Sequence, residues 1–86
     1  MTKDLKLQEA LEKYFLKSHT QARIRDLLQG LFTDKERKEF ALRLEIIKRL
    51  KKGVTHQKIA KSLRVGVATV TRGAKEIKNG HFKYLP

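Results

Sequence analysis

Hydrophobic positions in this chain recur at helical spacing, and the polar residues between them supply starts and stops. Leu7, Leu11 and Tyr14 fall at i, i+4 and i+7, with Ala10 and Phe15 widening the stripe, so Asp4 to Lys17 reads as an amphipathic helix. Ser18, His19 and Thr20 interrupt it. A second helix is expected from Gln21 to Gln29, with Ile24, Leu27, Leu28 and Leu31 on its apolar side and Gly30 near its end. Thr33-Asp34-Lys35-Glu36 then has the form of a capping box. In such a box the Thr hydroxyl and the Glu carboxylate satisfy backbone N–H groups that no helical carbonyl reaches, and Asp34 sits favourably at the positive end of the helix dipole. A long third helix, Asp34 to Lys52, should follow.

That helix carries apolar residues on more than one side. Phe40, Leu44 and Ile47 share a face, while Leu42, Ile46 and Leu50 occupy adjoining rows. A surface this wide implies contacts on two sides, one of which a second subunit would supply. Gly53 suits a helix C-terminus after Lys51 and Lys52, and Thr55 is placed to cap the next helix. From Thr55 to Lys78 the pattern is that of a helix-turn-helix. Ile59, Ala60 and Leu63 line one face of its first helix, Val65 and Gly66 make the turn, and Val70 pins the second helix against the first. Arg64 holds the turn position where many such motifs have Gly, and a left-handed backbone there costs roughly 1 kcal/mol. Val67, Ala68, Thr69, Thr71, Arg72 and Lys75 remain on the open surface of the second helix. Asn79-Gly80 ends it, and HFKYLP forms a short tail.

The fold class expected is therefore all-α, about five helices with a helix-turn-helix, in a single domain over residues 1–86. Its expected division is into dimerisation helices over 1–32, a long central helix over 33–53, the helix-turn-helix over 55–78 and the tail over 79–86. No repeat, low-complexity linker or strand pairing emerges.

Composition turns this helical reading toward nucleic acid. The 86 residues carry 21 Lys and Arg against 9 Asp and Glu, a net charge of +12, with a pI near 10.3. Such a charge far exceeds what solubility requires and attracts polyanions over about one Debye length, roughly 10 Å. A hydrophobic content of 40% separates the chain from a disordered basic tail, and a mean hydropathy of -0.56 fits a well-solvated surface. Short hydroxyl and methyl side chains flanked by cations suit a DNA major groove, where methyls and base edges are read at close range. RNA would call for aromatic platforms among the cations, whereas Phe40 belongs to a core pattern and Phe82 and Tyr84 to the tail. The plain structural alternative is a trihelical packing unit with a solvated cationic face. Thr69-Val70-Thr71 forms a helix poorly on its own account, which argues for a surface with some other use. A chain this short buries only about two thirds of its surface, and dimerisation would ease that shortage.

Other function classes find little footing. Without cysteine there is no disulfide, thiolate metal site or Cys nucleophile. His19, His56 and His81 are scattered without metal-ligand spacing, and Ser18 and Ser62 lack a base and its orienting group. No catalytic or metal-binding residue is expected, and the chain is not read as an enzyme. The first 15 residues have no long apolar run and mix acids with bases, so neither a signal peptide nor a membrane span is expected, and the cytoplasm is the expected compartment.

The stretch LFTDKERKEFALRLEIIKRLKKG followed by THQKIAKSLRVGVATVTRGAKEIK, Leu31 to Lys78, resembles the bacterial tryptophan-repressor family, with VGVATVTRG its most specific part. The resemblance implies an intertwined homodimer that binds a double-stranded DNA operator. It further implies L-tryptophan as corepressor, with no other cofactor, so that an amino-acid biosynthesis operon is repressed according to supply. By that resemblance Arg43 and Arg72 would lie on opposite faces of an indole ring, with Arg72 also reaching the ligand carboxylate. Guanidinium suits both tasks, because it stacks on π faces and donates in a planar fork. Thr33 would help bind the carboxylate, and Gly73 would leave room beside the ring.

The DNA contacts implied are Val67, Ala68 and Thr71 at base edges, directly or through water, with Thr69 and Lys75 on the same helix. His56 and Gln57 would approach phosphates or bases, and Lys58, Lys61, Arg64 and Lys75 would add charge along the backbone. From the residues alone, Thr33 is equally an N-cap, and Arg43 equally a partner for Glu39 one turn earlier. Where tryptophan-binding members place a Ser near the ligand amino group, this chain has Glu76, which either holds an ammonium group or pairs with Arg72. The family's long last helix is not expected here, where Phe82, Tyr84 and Leu85 are available to cover part of that surface. A ligand-independent DNA-binding regulator, or the DNA-binding module of a mobile-element protein of the same superfamily, is the second reading.

Overall fold

In the computed structural model, residues 2–86 are described, and they form α1 (Lys3–Lys17), α2 (Gln21–Leu31), α3 (Asp34–Lys51), α4 (His56–Leu63) and α5 (Val67–Lys78). No strand occurs among the described residues, so the all-α expectation holds. Threonine starts four of the helices. Thr2, Thr20 and Thr55 accept hydrogen bonds from the N–H groups of Leu5, Arg23 and Lys58, each satisfying a donor that the first helical turn leaves open. At α3 the box is reciprocal: Glu36 N donates to Thr33 Oγ1 at 3.1 Å, and Thr33 N donates to Glu36 Oε1 at 2.9 Å.

The expected boundaries hold to within two residues: α1 starts at Lys3 rather than Asp4, α3 ends at Lys51 rather than Lys52, and the widest difference is at the end of α2. Gly30 does not end α2, which runs on to Leu31. Phe32 N closes the last turn on Leu28 O, and the Arg37 guanidinium donates to Phe32 O at 2.6 Å and to Gln29 O at 3.4 Å. Carbonyls that a helix end leaves open are therefore met from the next helix, and no glycine stop is needed.

Backbone contacts divide the chain into two compact units, one up to Arg37 and one from Lys38 onward. Neither α1 nor α2, in the first unit, contains a buried residue. Leu7, Leu11 and Tyr14, the stripe that defines α1, are all exposed.

The second unit holds the core. Ile46 from α3, Ile59 and Ala60 from α4 and Val70 from α5 are buried together, and Leu42, Leu50, Val54, Leu63 and Val65 pack around them. Full burial of an Ile or Val side chain is worth about 1.5–3 kcal/mol, so Ile46, Ile59 and Val70 anchor the three helices to one another. Of the two apolar rows on α3, the one through Leu42, Ile46 and Leu50 faces this core, while Phe40 and Leu44 stay exposed. Gly53, at φ 85°, lets the chain leave α3 through bonds from Gly53 N to Leu50 O and from Val54 N to Arg49 O. The turn between α4 and α5 is left-handed at Arg64, φ 57° and ψ 46°, and is closed by Val65 N on Ala60 O at 3.0 Å. No described helix is long and apolar enough to cross a membrane.

Candidate nucleic-acid interface and ligand cleft

Val70 decides which way α5 faces. With its side chain fully buried against α4, the helix turns Val67, Ala68, Thr69, Thr71 and Lys75 outward, and all five are exposed. Gln57 and Lys58 in the first turn of α4 are exposed as well, and His56 is half-buried. The His56 ring meets the outer face of α5, with Nδ1 3.4 Å from Thr71 Oγ1. Lys61 and Arg64 extend the exposed cationic border along α4 and the turn. The residues expected to meet DNA thus occupy the outer surfaces of α4 and α5.

Sequence reasoning missed the strut behind this pair. Arg49 Nη1 donates to Ser62 Oγ at 2.9 Å, and its Nε donates to Glu45 Oε2 at 2.8 Å, tying α4 to α3. Hydrogen bonding from Arg49 holds the Glu45 carboxyl below its ordinary pKa, so the strut stays charged.

Between α3 and α5 lies a cleft of about 500 Å³. Arg43, Arg72, Gly73 and Glu76, four of the five residues expected around a ligand, line it together. Leu42, Ile46 and Ile47 of α3 give it apolar lining, and Thr69 of α5, expected only at DNA, lines it as well. Gly73 lets the helices come this close: a Cβ built there would stand 3.2 Å from Ile47 Cδ1 and 3.3 Å from Ile46 Cγ2. The resemblance gave this glycine to the ligand alone, whereas it also serves the α3–α5 packing.

The charges in the cleft are balanced. Arg43 and Arg72 share its lining with Glu39 and Glu76, within a chain that is otherwise strongly basic. Arg43 lies over the Phe40 ring, 5.6 Å from its centroid. Glu76 meets His81 rather than the Arg72 one turn before it, with Oε2 3.5 Å from Nε2. Phe82, from the segment after α5, also lines the cleft, a contribution that no helical periodicity could announce.

Thr33 belongs to the other unit, where its hydroxyl accepts the capping bond that starts α3.

A family model described as Trp repressor protein matches residues 6–85. The chain belongs to this family. It is a family of transcriptional repressors, regulatory DNA-binding proteins and not enzymes. The chain is 41% identical over 54 residues to a Trp operon repressor homolog of Vibrio campbellii, covering 62% of this chain and 54% of that one. A Trp operon repressor homolog of Vibrio vulnificus is 42% identical over 53 residues, 60% of this chain and 52% of its own. The chain thus spans about half the length of the curated relatives it matches. No solved structure matches it.

Proposed function

We propose that the chain is one subunit of a homodimeric repressor that reads a pseudo-palindromic DNA operator with α5 and is switched by L-tryptophan held between α3 and α5. The observation that carries this reading is the cleft itself. Arg43, Arg72, Gly73 and Glu76 come from two separate helices and yet line one space directly behind the DNA-facing helix. Its chemistry is that of a site for a zwitterion with a flat apolar side chain. Arg72 donates to the ligand carboxylate, Glu76 accepts from its ammonium group, and the indole lies between the two guanidinium faces.

Filling the cleft changes how α5 sits on α3 and so favours one pre-existing angle of the reading head. The shift in operator affinity is limited by the ligand's preference for that angle. In the complex, Val67, Ala68, Thr69 and Thr71 meet base edges, His56 and Gln57 meet bases or phosphates, and Lys58 and Lys75 neutralise phosphates. Two-fold symmetry of the dimer requires half-sites about one helical turn apart, roughly 34 Å. The relatives' printed names support an operon of tryptophan supply as the target, and such a repressor would work in the cytoplasm.

The test is operator selection from random duplexes followed by titration with and without L-tryptophan. A gain of at least about tenfold in operator affinity with ligand is expected, and Arg72→Ala should remove it; a full gain in that variant would reject the assignment. The second reading, ligand-independent DNA binding, is favoured by one contact: Glu76 already has His81 for a partner. It predicts sequence-specific binding that L-tryptophan leaves unchanged.

A further inference from the structure

The segment after α5 is tied down from an unexpected quarter. Lys51, in the last turn of α3, donates its ammonium protons to the carbonyl oxygens of both Phe82 and Leu85. Gly80 turns the backbone at φ 96°, and Phe82 follows in the same left-handed region at φ 62°, a conformation that bulky side chains seldom adopt. After this unusual turn Phe82 lines the α3–α5 cleft. His81, just before it, meets Glu76, which lines the same cleft. Phe82 remains 40% exposed, so its ring has surface left for a ligand to cover. Across the cleft stand Leu42, Ile46 and Ile47, whose branched side chains offer contact area without an aromatic face.

We infer that Phe82 is a specificity-determining residue of the cleft: its ring, held in place by Lys51, is an aromatic wall that selects a ligand with an aromatic side chain over an aliphatic amino acid. The inference rests on reading the cleft as an amino-acid site. Aromatic pairs in edge-on or offset contact gain beyond simple area burial, a gain that an aliphatic side chain cannot collect. The contacts of Arg72 and Glu76 with the ligand carboxylate and ammonium groups treat all α-amino acids alike. Discrimination must therefore come from the walls around the side chain, and Phe82 is the aromatic one among the residues lining this cleft.

Calorimetric titration of the full chain with L-tryptophan and with L-leucine tests this on the unmodified protein and on Phe82→Ala, Phe82→Tyr and Arg72→Ala. Phe82→Ala should weaken tryptophan binding roughly tenfold and leucine binding less than about threefold, and Phe82→Tyr should restore tryptophan binding. If leucine stays below detection throughout, the tryptophan loss and its rescue by Tyr decide. Tryptophan should also slow amide exchange at residues 82–85 in the unmodified protein and not in Phe82→Ala. Phe82 lies outside the buried cluster, and helical circular dichroism checks that the variant folds. Unchanged tryptophan affinity in Phe82→Ala, with binding still abolished by Arg72→Ala, would overturn the role of Phe82 and leave the site standing. Equal losses for both amino acids would do the same. An unmodified protein that binds neither would overturn the site and this inference together.

Discussion

Gly30 and Gly73 both lie inside helices, yet a methyl group has opposite consequences at the two. Nothing approaches within 4 Å of a Cβ built at Gly30. Gly30→Ala should therefore raise stability by up to about 1 kcal/mol, the helix-propensity difference between the two residues. At Gly73 the same gain is opposed by the buried side chains of Ile46 and Ile47, which must give way by a few tenths of an ångström. Overpacking a tight site typically costs about 1–3 kcal/mol, so Gly73→Ala should show no gain and a loss of up to about 2 kcal/mol in urea denaturation. A second residue-level contrast is in pH. Hydrogen bonds from the backbone and side chain of Thr33 hold the Glu36 carboxyl below its ordinary pKa, because they favour the charged form. The contribution of Glu36 is therefore fully present above the ordinary carboxylate range, about pH 4, and is lost as pH falls through the lowered folded-state value. Glu36→Gln should be less stable than the unmodified protein near neutrality, with the difference shrinking under acid, as denaturation midpoints across pH will show.

Among the elements, α4 and α5 were the most legible in the sequence, since their apolar period and their buried positions coincide at Ile59, Ala60 and Val70. The capping box of α3 was legible for a similar reason: its partners lie three residues apart. The end of α2 was not, because Arg37 satisfies Phe32 O and Gln29 O from five and eight residues away, a reach outside any local stop signal. Periodicity gave α3 both of its apolar rows without saying which would face the core; Val70 and Ile59 settled that by filling the side that holds Ile46. In the cleft, Arg43, Arg72, Gly73 and Glu76 follow from a family resemblance on two regular helices, whereas Phe82 sits in an irregular turn fixed by Lys51, thirty-one residues earlier. The turn between α4 and α5 offers its own prediction. Arg64 is left-handed, so Arg64→Gly should stabilise the fold by about 1 kcal/mol. The same change removes a cation from the proposed DNA surface, and the slope of log affinity against log salt should become shallower by up to about one. Unaltered stability would mean that the turn relaxes around Arg64 at no cost.

For the whole molecule the governing quantity is apolar surface left in water. Leu7, Leu11 and Tyr14 on α1 and Phe40 and Leu44 on α3 are exposed, while the residues of α1 and α2 are all exposed or half-buried. Apolar side chains left exposed on helix faces mark association sites, and the proposed dimer would cover them. Its stability would then depend on protein concentration, because association stabilises the folded state by mass action. The charge of +12 opposes that association and favours DNA binding, so added salt should act with opposite sign on the two equilibria. Screening weakens repulsion between two cationic subunits, and the dimer should tighten or hold between about 0.05 and 0.5 M salt. Operator affinity should fall over the same range, by about 0.9 logarithmic units per phosphate contacted for each tenfold rise in salt. Sedimentation equilibrium and operator titration on one salt series measure both. Leu11→Glu should weaken the dimer through the exposed stripe and leave the buried cluster of Ile46, Ile59 and Val70 intact, because Leu11 is not part of it. A protein that stays monomeric at every salt concentration, with Leu11→Glu indistinguishable from the original, would mean that the exposed rows serve something other than a second copy of this chain.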